Sequence, residues 1–141
     1  MTVVVADTSP LNYLALIGEI GILRTLYGRV VVPPEVRSVR RGQDEPNLPQ
    51  FDPGERAAIL LAQEEPDALL LIDDAAGRAE ANRRGIPSTG TLGVLRAAAL
   101  RGLLDLAPAL TRLAATNFRV SQALLEDLLA EDSERNRHID G

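Results

Sequence analysis

Four short apolar runs, each followed by a pattern of helical period, constrain this chain more than any other feature of its sequence. Val3-Val4-Val5-Ala6 is mostly β-branched and stops at Asp7-Thr8-Ser9-Pro10, after which Leu11, Leu14, Ala15 and Ile17 recur at helical spacing. Pro10 suits a first helical position, where its missing N–H costs nothing. Gly18 breaks the run, and Ile20, Leu23, Leu26 and Tyr27 form a second amphipathic stretch ending at Gly28. Arg29-Val30-Val31-Val32 predicts a second strand closed by Pro33-Pro34, followed by a short helix from Glu35 to Arg40 and a polar loop from Gly42 to Pro53. Gly54-Glu55 opens a helix from Arg56 to Glu64. Ala68-Leu69-Leu70-Leu71-Ile72 is the strongest strand, with Asp73-Asp74 at its end and a helix from Ala75 to Arg84 after it. Ile86-Pro87-Ser88 predicts a fourth short strand, and Thr89-Gly90-Thr91-Leu92-Gly93 leads into a helix to about Arg101. Two further helices are expected over Ala107 to Ala115 and Ser121 to Ala130, then a polar tail from Glu131.

Parallel neighbours need crossovers, which are nearly always right-handed, so this alternation implies a short, mainly parallel sheet of four or five strands covered by helices on both faces. The expected fold class is a three-layer α/β/α domain. The chain has 141 residues, of which 45% are hydrophobic, enough for one core without staples. One domain over residues 1–130 and a tail over 131–141 is the expected organisation. Such sheets bind ligands beyond the C-terminal ends of their strands. Asp7 and the Asp73-Asp74 pair fall at those ends of the first and third strands, so separated acids would share one rim.

Composition removes much other chemistry. With no Cys there is no thiol nucleophile, zinc ribbon or disulfide framework. All 15 basic residues are Arg, and the missing Lys excludes a P-loop and Schiff-base catalysis. The only His is His138, so a Ser-His-Asp triad or a multi-histidine zinc site would need that residue to fold back into a cleft. A net charge of −5 argues against a broad nonspecific grip on DNA. No apolar run approaches the roughly 18 to 20 residues that span a bilayer, and no basic segment precedes the first one, so a cytoplasmic protein is expected.

Five segments carry a family resemblance. Val4-Val5-Ala6-Asp7-Thr8-Ser9-Pro10-Leu11, Val32-Pro33-Pro34-Glu35-Val36, Gly54-Glu55-Arg56-Ala57-Ala58-Ile59, Leu70-Leu71-Ile72-Asp73-Asp74 and Gly90-Thr91-Leu92-Gly93-Val94-Leu95 follow one another in the order and spacing of PIN-domain proteins. The chain resembles a prokaryotic branch similar to VapC-type toxins over about residues 3 to 130. The resemblance implies a PIN-like domain and a ribonuclease that holds Mg²⁺ or Mn²⁺ in a cluster of acids. Asp7 matches the first acid, with Ser9 beside it as a metal-water or substrate contact. Glu55 matches the third, and the fourth lies in the Asp73-Asp74 pair, Asp74 in one register and Asp73 after a one-residue slip. The second acid is absent: Val39 stands five residues after Pro34, where the family carries Glu. Glu35, one turn earlier, starts about 6 Å away along a helix axis. That departure bears on activity more than on fold. The resemblance further implies an RNA substrate, a small antitoxin partner and a homodimer.

The chemistry explains the pattern of acids. Gathered carboxylates repel one another until a divalent cation neutralises them, and hard cations prefer oxygen ligands. Such an ion activates water and stabilises a leaving oxygen, so no His or Lys base is needed. Plainer roles exist for the same residues: Ser9 or Asp7 as helix cap, Glu55 as a favourable first-turn charge, Asp73-Asp74 as a cap. Arg37, Arg40 and Arg41 near the second strand's exit, and Arg78, Arg83 and Arg84 after the third, are either phosphate contacts or solvated faces. Tyr13, Tyr27, Phe51 and Phe118 are the only aromatics, which gives base stacking little support. Two other functions compete. A PIN-fold binding module with degraded catalysis is suggested by Val39, and a phosphoacceptor receiver domain is disfavoured because it needs a Lys.

Overall fold

The computed structural model describes residues 2–33 and 53–140, the last three by backbone alone. The expected helix at Glu35 to Arg40, the loop at Gly42 to Asp52, and Val39 and Arg40 lie outside the described residues. Strand β1 (Thr2–Ala6) is followed by α1 (Thr8–Leu16), α2 (Ile22–Tyr27) and β2 (Gly28–Val31). Next come α3 (Pro53–Glu64), β3 (Ala68–Leu71), α4 (Ala75–Arg83), β4 (Ser88–Thr89), α5 (Thr91–Leu100), α6 (Leu106–Ala114) and α7 (Gln122–Asp140). The four described strands form one sheet in the order β2-β1-β3-β4, every pairing parallel.

The period-2 alternation of strand side chains divides the core into two halves. Val4, Ala6 and Leu71 face one side, packing with Leu14, Leu23, Val94, Leu95, Ala98, Leu110 and Leu113 from α1, α2, α5 and α6. Val5, Leu70 and Ile72 face the other, against Ala58, Ile59 and Ala62 of α3 and Ala81 of α4. Helices therefore cover both faces, giving the three-layer α/β/α arrangement expected of a PIN-like domain. Burying a side chain such as Ile59 or Leu70, each fully buried, contributes roughly 1.5–3 kcal/mol.

Several boundaries differ from expectation: α3 begins at Pro53 rather than Arg56, and β4 is Ser88–Thr89 rather than Ile86 to Ser88. α1 begins two residues before Pro10, because every N–H of a helix's first turn lacks an intrahelical acceptor, so proline is tolerated there. The polar stretch from Glu131, expected as a tail, continues α7 as helix to Asp140. Its anchors are polar: Arg96 of α5 donates to Glu131 at 2.6 Å, Arg137 pairs with Glu134 one turn away, and buried Asp132 pairs with Arg135.

Candidate active site at the C-terminal rim of the sheet

The rim is built where β1 and β3 end side by side. Asp7 extends the ladder by one bond, its N–H donating to the Leu71 carbonyl at 2.9 Å, which fixes its side chain beside the end of β3. It occupies the position before α1 yet makes no capping hydrogen bond with its side chain, and it is only 7% exposed. Ser9 lies inside the first turn, exposed, so it is not the cap either. Glu55 is in the first turn of α3, half-buried, where the positive helix end favours it.

The two acids after β3 do different work. Asp74 caps α4: its carboxylate accepts the Gly77 N–H at 2.7 Å. Asp73 reaches across to α5, taking the Thr91 N–H at 2.6 Å on Oδ1 and the Thr91 hydroxyl at 2.7 Å on Oδ2. Gly90 makes this approach feasible, because a Cβ there would lie 2.6 Å from Asp73 Oδ1. Thr91 is fully buried, so Asp73 satisfies two donors that have no access to water.

Asp7, Ser9, Glu55, Asp73 and Asp74 line one cavity of 410 Å³, together with Tyr13, Asn117, Phe118 and Arg119. Three separate stretches of sequence thus deliver four carboxylates to one concavity. A larger cavity of 630 Å³ lies at the opposite end of the sheet, around Tyr27, Gln63, Asp67 and Arg84, away from these acids. All oxygen donors on the rim are of the kind a hard divalent cation takes. Among the described residues no three acidic or histidine side chains come together as a ready ligand cluster.

The arginines after β3 divide. Arg78 turns back, its Nη1 donating to the carbonyls of Asp73 at 2.6 Å and Ile72 at 3.1 Å, so it pins the strand end. Arg83 and Arg84, for which the sequence left open a phosphate contact or a solvated face, lie at the far end of α4 away from the rim, where both hold buried Glu80. The hydrogen bonds from Arg84 and then Arg83 keep the Glu80 carboxyl below the usual carboxylate range. Sequence reasoning gave no role to Thr91, Asn117 or Arg119 and little to Phe118. The available signal was an aromatic-Arg pair, Phe118-Arg119, in the short polar link between two helical stretches.

A parallel α/β/α domain with acids from separate elements at the rim of its sheet is the arrangement the PIN-like resemblance implies. A family model described as DUF3368: PIN domain matches residues 3–38 and 38–134, and the chain belongs to that PIN-domain family. Proteins with this domain are generally nucleases and typically use divalent metals. No curated protein and no solved structure matches the chain. Among the described residues no helix is long and apolar enough to cross a membrane.

Proposed function

We propose that this chain is a Mg²⁺- or Mn²⁺-dependent endoribonuclease, the toxin of a cytoplasmic toxin–antitoxin pair, with Asp7, Glu55, Asp73 and Asp74 as its acidic group. The observation that carries the reading is the convergence of those four side chains and Ser9 on one 410 Å³ cavity in a PIN-domain chain. A bound divalent ion would polarise a phosphodiester and acidify a water for attack. The residues divide the remaining work. Thr91 holds the Asp73 carboxylate in one orientation, and Gly77 N–H does the same for Asp74, so neither must be ordered when substrate arrives. Asp7, buried at the end of β1, presents a carboxylate in a site where water competes little. The exposed Ser9 hydroxyl is placed to donate to a phosphate oxygen or a water. An antitoxin covering this rim and a homodimer belong to the same reading.

A second reading, a PIN-fold binding module with weakened catalysis, is favoured by Val39 at the usual Glu position and by the lack of a three-carboxylate cluster among the described residues. Cleavage of a mixed single-stranded and hairpin RNA pool in Mg²⁺ and in Mn²⁺ separates the two. Metal-dependent cutting that disappears in Asp7→Asn supports the nuclease. Cutting only by Val39→Glu supports a disabled site, and silence from wild type, Asp7→Asn and Val39→Glu alike supports the binding module.

A further inference from the structure

The acid-lined cavity does not stand alone. A second cavity of 460 Å³ abuts it, lined by Arg78, Ser88, Thr89, Gly90 and Ser121 among others, and the two share three residues: Asp73, Phe118 and Arg119. Both therefore open onto the link between α6 and α7. That link is tightly built. Thr116 Oγ1 donates to the Leu113 carbonyl at 2.6 Å and accepts the Phe118 N–H at 3.1 Å. Tyr13 of α1 donates its hydroxyl to Asn117 at 2.8 Å and meets the Phe118 ring edge to face, centroids 4.9 Å apart. Phe118 is half-buried and held on two sides, whereas Arg119 is exposed and has no hydrogen-bond or ion-pair partner among the described residues.

An acidic cavity in a chain of net charge −5 repels a polyanion, so a phosphate lying outside reach of an ion held by the acids is drawn in by a cationic side chain at the cavity edge. Arg78 has already committed Nη1 to carbonyls, which leaves Arg119, among the described residues, as the uncommitted guanidinium common to both cavities. We infer that Phe118 and Arg119 form the lip over which a single-stranded polynucleotide passes from one cavity into the other, Arg119 on a phosphate and Phe118 under a base. Phosphate contacts set register, and aromatic faces accept any unpaired base, so this lip positions a strand without reading its sequence. The inference rests on the nuclease reading for the identity of the ligand and adds the path the strand takes.

The test separates binding from cleavage. Fluorescence anisotropy with labelled 12-nucleotide single-stranded RNA and DNA is measured in EDTA between 50 and 200 mM salt. Arg119→Ala should weaken binding by about tenfold or more, as expected for losing a charged hydrogen bond, and lower the salt slope by about 0.7. Arg119→Lys should recover most of that loss. Phe118→Leu should weaken binding at least about fivefold, while Phe118→Tyr, which keeps the ring, should not. Arg137→Ala changes the net charge equally on an exposed helix face away from both cavities and should bind like wild type. Melting temperatures measured alongside separate lost binding from lost folding for Phe118→Leu. Equal affinity of Arg119→Ala and wild type, or equal losses in Arg119→Ala and Arg137→Ala, overturns the lip and leaves the nuclease reading standing. A wild-type chain that binds neither strand overturns the lip, and metal-dependent RNA cleavage then decides the nuclease reading by itself.

Discussion

Removing the Asp73 carboxylate should destabilise this protein far more than removing its neighbour. Asp73→Ala leaves two donors of fully buried Thr91, the N–H and the hydroxyl, with no acceptor. Each buried donor left unsatisfied costs about 1–3 kcal/mol, so the pair predicts roughly 2–6 kcal/mol. Asp74→Ala loses one N-cap bond to Gly77, about 1 kcal/mol. At about 2–4 °C per kcal/mol for a domain of this size, melting points should fall by roughly 10 °C and about 3 °C respectively. Asp73→Asn keeps one acceptor for the Thr91 N–H and should fall between them. The assay is thermal and urea unfolding followed by circular dichroism at neutral pH in EDTA, which removes any contribution from bound metal. Thr91→Val supplies the check on mechanism. Combined with Asp73→Ala it removes one of the two orphaned donors, so the double variant should be more stable than the sum of the singles predicts. Equal losses for Asp73→Ala and Asp74→Ala, or strict additivity with Thr91→Val, would refute the pairing of Asp73 with Thr91 as the basis of the effect.

Three further outcomes follow from other contacts. Gly93→Ala places a Cβ 2.1 Å from Thr89 Oγ1, so it should cost about 1–3 kcal/mol, and adding Thr89→Ala should restore most of the loss because Thr89 Cβ stays at 3.5 Å; urea midpoints measure both. Glu80 is held ionised by Arg84 and Arg83, so its folded-state pKa lies below the unfolded value of about 4.3. Its stabilisation is therefore complete above that pH and lost as pH falls toward the folded value, and the acid limb of a stability–pH curve should be shallower in Glu80→Gln than in wild type. Under the proposed function, millimolar Mg²⁺ or Mn²⁺ should raise the melting temperature with concentration, the fold gaining about 2.7 kcal/mol of stability at a hundred times Kd, and Asp7→Asn should abolish the rise; an identical rise in Asp7→Asn would sink that assignment.

The strands were legible because β-branched and leucine runs bounded by acids, Gly and Pro admit few other readings. The covering of both faces followed from their parallel alternation. The end of α7 was not legible: residues 131–140 are polar but for Ile139 and carry no apolar stripe, and ion pairing, including Arg96 with Glu131 from 35 residues away, holds them helical. The rim acids were visible as residues at strand ends, yet the division of labour between Asp73 and Asp74 depends on Thr91, 18 residues further on. The sequence left Arg83 and Arg84 between a phosphate contact and a solvated face, and a nine-residue helix decides it by carrying its last turn away from the rim it starts on. Phe118 and Arg119 gave only a faint signal, because a link between helices shows no periodicity to announce what it faces.

The strand order has a consequence for how the chain is made. β1 lies in the middle of the sheet, between β2 and β3. Its first partner begins at residue 28 and its second only at residue 68, so β1 leaves the ribosome ahead of both partners with both edges bare. Pairing β1 with β3 closes a long loop, the kind of contact that slows folding. Until then Val3-Val4-Val5 is an apolar, β-branched segment open to any other strand nearby. Slowing translation between codons 33 and 68 should therefore lower the soluble yield more than the same delay placed after codon 90, once β4 is out.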